Sequence, residues 1–118
     1  MALATDERPI SHDQLVALLP MPVLLVGEDL RIHSANPAAE QFFASGVGLL
    51  TRMRLDEIVP FGSPVLQLIA QAMDRSASVG ERDVDLSMPH HGDHMADVVV
   101  TPASDMDKRV VVTLHERS

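Results

Sequence analysis

The chain has 118 residues, enough for one domain with a single hydrophobic core. A hydrophobic fraction of 46% excludes a disordered chain, and a net charge of −8 with scattered basic residues argues against nucleic acid, whose phosphates need clustered Lys and Arg. The absence of cysteine excludes disulfides, thiol nucleophiles and thiolate metal sites, and there is neither Trp nor Tyr for bases to stack on. No apolar run approaches the roughly 18 residues of a membrane span, and no basic-then-apolar leader opens the chain, so a soluble, cytoplasmic protein with no membrane contact is expected.

Met1 to Pro9 shows no periodicity, so residues 1–10 read as a flexible leader ahead of a single domain over 11–118. Ser11-His12-Asp13-Gln14 fits a capping box, with Leu15, Leu18 and Leu19 on one helical face, and Pro20 ends that helix. Val23 to Val26 is a continuous apolar run, too short for a helix and suited to a buried strand. Gly27-Glu28-Asp29 supplies turn chemistry and Arg31 to Ala35 returns as a second strand, forming a hairpin. Asn36 is a preferred N-cap, and Pro37 has its φ preset for the first helical position, so Ala38 to Phe43 is a short helix. Phe42 and Phe43 are expected to close this helix over the sheet.

Gly46-Val47-Gly48 reads as a loop, and Leu49 to Val59 as one or two helical turns carrying Leu55, Ile58 and Val59. Ser63-Pro64 repeats the cap-plus-proline device; Val65, Leu68, Ile69, Ala72 and Met73 then mark an amphipathic helix to about Arg75. Beyond it the pattern alternates. Val84, Leu86 and Met88 face inward against Asp83, Asp85 and Ser87, and Met95 to Thr101 and Arg109 to Glu116 supply two more strands. The predicted fold is α+β: a five-stranded antiparallel sheet with its helices on one face, plus an N-terminal helix.

His90-His91-Gly92-Asp93-His94 is the constellation closest to metal chemistry. His90, His91 and His94 could ligate Zn or Ni, but in a loop beside Pro89 nothing holds their nitrogens in a fixed geometry, and a solvated hairpin tip is the simpler reading. The acidic positions Glu81, Asp83 and Asp85 likewise read as a solvated strand face.

The order of elements over Asp13 to Arg117 resembles the PAS fold. Leu19-Pro-Met-Pro-Val-Leu-Leu-Val26, Ala35-Asn-Pro-Ala-Ala-Glu-Gln-Phe-Phe43 and Leu55-Asp-Glu-Ile-Val-Pro-Phe-Gly-Ser-Pro64 resemble the N-terminal PAS domain of NtrB-type nitrogen-regulation sensor histidine kinases. Leu30 stands where hairpins of this family usually carry Gly, so the turn is expected to find its positive φ at Gly27 or Asp29. The resemblance implies a regulatory domain that is not itself catalytic; Asn36, Pro37, Ser63 and Pro64 have structural roles on their capping chemistry. It also implies a kinase core elsewhere in a longer protein, and regulation that can involve a PII-type signalling protein. His115-Glu116 is similar to a phosphoacceptor His-Glu pair but ends a strand pattern and lacks the Asn-Pro that should follow.

No cofactor is expected. Covalent flavin or chromophore chemistry would need a cysteine, and the Pro64 to Arg75 helix carries no histidine for haem. A PAS sheet and its helices can enclose a ligand pocket, here lined by Leu66, Ile69, Met73, Val84, Leu86, Val98 and Val112, although large aliphatic side chains at each position suit a packed core. Three functions follow in order of preference: a dimerising relay module of a nitrogen-sensing kinase, with Leu15, Leu18 and Leu19 as the dimer contact; a ligand-binding sensor of another regulator; and a metal-dependent enzyme using the histidine loop.

Overall fold

The computed structural model describes residues 19–59, 62–86, 95–104 and 108–116. The expected N-terminal helix with Leu15 and Leu18, the residues Pro60 and Phe61, and the loop of His90, His91 and His94 lie outside the described residues.

The sheet is antiparallel with strand order β2-β1-β5-β4-β3, built from β1 (Val23–Gly27), β2 (Ile32–Ala35), β3 (Val79–Asp85), β4 (Met95–Ser104) and β5 (Arg109–Glu116). The β-branched run of β5 is central because both of its edges are paired, Val112 lying opposite Leu24 on one side and Val100 on the other. Along β4 and β5, Ala96, Val98, Val100, Val110, Val112 and Leu114 are buried on the helical side, whereas Val99, Thr101 and His115 on the opposite face are exposed.

Among the described residues the helices are α1 (Pro37–Phe43), α2 (Val47–Leu50) and α3 (Pro64–Arg75), with a 3-10 turn at Leu55–Glu57. In α3 the expected stripe is realised, Val65, Leu68, Ile69 and Ala72 being buried against the sheet. Ser63 Oγ accepts from the Val65 amide at 3.3 Å, and Ser76 ends the helix in the left-handed region at φ 51. Phe42 and Phe43 are buried in the core with their rings edge to face, 5.0 Å apart.

Several local expectations are corrected. The positive φ of the hairpin turn is at Leu30 itself, φ 70, and not at Gly27 or Asp29. The turn is closed by a Leu30 N–H to Gly27 carbonyl bond, and Asp29 Oδ1 accepts from the Arg31 amide at 3.0 Å. Leu30 is held in place from outside: its carbonyl accepts from Leu55, the Ile32 amide donates to Met53, and Arg31 bridges to Arg54. Its side chain packs against the core.

The segment expected as a Gly46-Val47-Gly48 loop forms α2. Gly46 is its N-cap, Glu40 accepts from the Val47 amide at 2.6 Å, and its last residue, Leu50, is buried. Burial of Leu50 outweighs the poor helix propensity of Gly48. The strand read from the alternation around Val84 and Leu86 begins at Val79, because β4 extends far enough to pair Val79 with Val100, and Met88 lies outside the described residues. A bulge between Glu81 and Val84, with Asp83 at φ 56, shifts the phase of alternation, and this is why Val84 and Leu86 point inward as expected while residues 80–83 are exposed. The Asp83 amide donates to Asp97 Oδ1 at 3.0 Å across the bulge.

Candidate functional site

Two regions compete as the functional centre: the space between sheet and helices, and the junction where the chain enters β1.

The residues expected to line a ligand pocket are brought together. Ile69, Val84, Leu86, Val98 and Val112 are each at most 2% exposed and belong to one continuous core, with Leu66 and Met73 packed against its margin. Side chains in such contact fill space that a ligand would need. Two surface depressions among the described residues lie elsewhere. One of about 440 Å³ opens beside Gly27, Glu28, Asp29, His33 and Arg109, and another of about 340 Å³ lies between the end of α3 and the β4–β5 connection, where Met73 is a wall. Charged groups of both signs line each of them. The Lys108–Glu28 pair at 3.7 Å ties the β1–β2 turn to β5, but both side chains are largely exposed and such a pair contributes little.

The junction is more ordered. Asn36 is 3% exposed, and its Oδ1 accepts from the Ala39 amide and from the Val23 amide, both at 2.9 Å. Its Nδ2 donates to the Met21 carbonyl at 2.9 Å, and its own amide donates to the Val23 carbonyl at 3.1 Å. One side chain therefore joins the start of α1, the start of β1 and the segment before it. The N-cap role was legible in Asn36-Pro37. The bonds to Met21 and Val23 were not, because they depend on the pairing of β1 with β2, which places residues 13 and 15 positions apart side by side.

Of the other candidates, Leu19 is half-buried at the edge of the described residues, and Pro64 occupies the first turn of α3. His115 lies in β5 opposite Asp97, in an extended and exposed position and not on a helix. Among the described residues, no group of three His, Asp or Glu side chains is placed to hold a metal ion, and no helix is long and apolar enough to cross a membrane.

A five-stranded antiparallel sheet with short helices and one longer helix packed on it is the architecture of the PAS fold. The PAS-fold family profile matches residues 16–117, and the chain belongs to the PAS family. It is 42% identical over 98 residues to the sensory histidine kinase/phosphatase NtrB of Rhizobium meliloti (strain 1021), covering 82% of this chain and 26% of that protein. NtrB of Azospirillum brasilense is 33% identical over 109 residues, covering 92% of this chain and 27% of the relative. The chain thus spans about a quarter of the length of these curated relatives. Among solved structures, the PAS domain of nitrogen regulation protein NR(II) from Vibrio parahaemolyticus superposes with a TM-score of 0.78 at 20% identity, over 89% of this chain and 96% of that one. The chain is accordingly a PAS domain of the regulatory sensor type, homologous to a part of NtrB histidine kinases.

Proposed function

We propose that this chain is the N-terminal sensor and dimerisation module of an NtrB-type nitrogen-regulation histidine kinase, a cytoplasmic protein whose kinase core lies outside these residues. The observation that carries this reading is the identity to two NtrB kinases over most of this chain but only about a quarter of theirs. Its role is to relay, not to catalyse. A filled core favours transmission through packing and hydrogen bonds over capture of a small ligand, and the extended setting of His115 is unlike that of a phosphoacceptor on a dimerisation helix.

In this reading the chain pairs with a second copy of itself through Leu15, Leu18 and Leu19, and a PII-type signalling protein acts on the same kinase. The test is to express the parent kinase with and without residues 1–118 and to follow autophosphorylation and phosphatase activity. Catalytic competence that survives the deletion, with its response to the nitrogen signal lost or altered, is expected. Loss of the phosphorylated histidine itself would place catalytic machinery within this chain and overturn the proposal.

A further inference from the structure

Capping α1 requires an acceptor alone, and Ser, Thr or Asp would serve as well as Asn. What the amide adds is a donor on a second terminal atom, apart from the oxygen that caps the helix, and here the Asn36 Nδ2 reaches the Met21 carbonyl at 2.9 Å. Met21 lies in the strap Leu19-Pro20-Met21-Pro22, whose prolines have restricted φ and no N–H to give to a ladder. The carbonyls do the joining. Met21 is bound to Asn36, and the next carbonyl, that of Pro22, accepts from the Leu114 amide at 3.1 Å. Leu114 is the last buried residue of β5 before the exposed His115. A stiff strap is thus bonded on one side to the start of α1 and on the other to the end of β5.

We propose that Asn36 is a latch coupling the strap that leads into β1 to the end of β5, so that displacement of Leu19–Pro22 is passed to Leu114 through the Met21 and Pro22 carbonyls. Because Asn36 is 3% exposed, water does not substitute readily for these bonds, and release of the strap is a discrete event and not gradual fraying. The inference goes beyond the regulatory reading and does not rest on it, since it concerns bonds within this domain alone.

Amide hydrogen exchange on the 118-residue protein, resolved residue by residue by NMR, tests it. Asn36→Asp retains an acceptor for Ala39 but sets a carboxylate oxygen against the Met21 carbonyl. The Leu114 amide should then exchange about tenfold faster or more, while Ala39 and the earlier amides of β5 stay within about threefold of wild type. Asn36→Ser, which keeps a cap and has no donor long enough for Met21, should do the same. Unchanged exchange at Leu114 in a folded variant, or uniform acceleration along all of β5, overturns the latch. Should neither variant fold, wild-type exchange in low urea decides: Val23 and Leu114 opening with one common free energy supports coupling, and independent opening refutes it.

Discussion

The Leu55 amide donates to the Leu30 carbonyl across 2.7 Å, and this bond fastens a leucine in the left-handed region, φ 70, at the tip of the β1–β2 hairpin. A γ-branched residue there is disfavoured by about 1–2 kcal/mol. The structure accommodates it because the Leu30 side chain packs against the core while its backbone is bridged to the turn that carries Leu55.

This relationship reverses the usual ranking of alanine over glycine. Leu30→Ala loses the packing and keeps the strain, whereas Leu30→Gly loses the packing and relieves it. Both variants should be less stable than wild type, with Leu30→Gly the more stable of the two by about 1 kcal/mol. Urea unfolding followed by circular dichroism measures the difference; alanine equal to or above glycine would show that Leu30 is not held at positive φ.

Ser76 and Ala44 end α3 and α1 at φ 51 and φ 53, and both are exposed. No side-chain packing is lost on replacing either, so Ser76→Gly and Ala44→Gly should each raise stability by about 0.5–1 kcal/mol. Thermal unfolding of the two single variants and the double variant checks this, the double shift being the sum because the sites are separate.

Removing the Asn36 side chain strands the Val23 and Ala39 amides, both of them buried. Asn36→Ala is expected to lower stability by about 2–4 kcal/mol, more than the roughly 1 kcal/mol of a simple N-cap. A loss near 1 kcal/mol in the same denaturant titration would reduce Asn36 to a cap.

Val98 and Val99 are neighbours on β4, one fully buried and the other 37% exposed on the opposite face. Val98→Thr places a hydroxyl in the core and should destabilise by about 1–3 kcal/mol, while Val99→Thr should stay within about 0.5 kcal/mol. Equal effects would mean that the face opposite the helices is also covered.

Truncation of residues 1–19 removes the leucines assigned to the subunit contact. The intact chain should elute as a dimer and the truncated one as a monomer by light scattering, with the PAS fold retained in its circular dichroism spectrum. A monomeric intact chain removes the basis for that assignment.

Much of this protein follows from local chemistry that a short window of sequence contains. Asn36-Pro37 and Ser63-Pro64 mark helix starts because a side-chain acceptor and a preset φ act within three residues; the stripe from Val65 to Ala72 and the alternation of Val84 and Leu86 with Asp83 and Asp85 state which face is inward. The five strands, the helical block between them and a core of aliphatic residues were legible on those grounds, as was the resemblance to PAS domains. What required the tertiary structure are the features whose cause lies far along the chain. Leu30 takes a left-handed conformation because of Leu55, α2 forms because Leu50 finds the core, and the phase of β3 is reset by a bulge opposite β4. Likewise, that Asn36 grips Met21 and that Pro22 meets Leu114 depends on strand order, because hydrogen bonds between residues remote in sequence exist only once the sheet has brought them together.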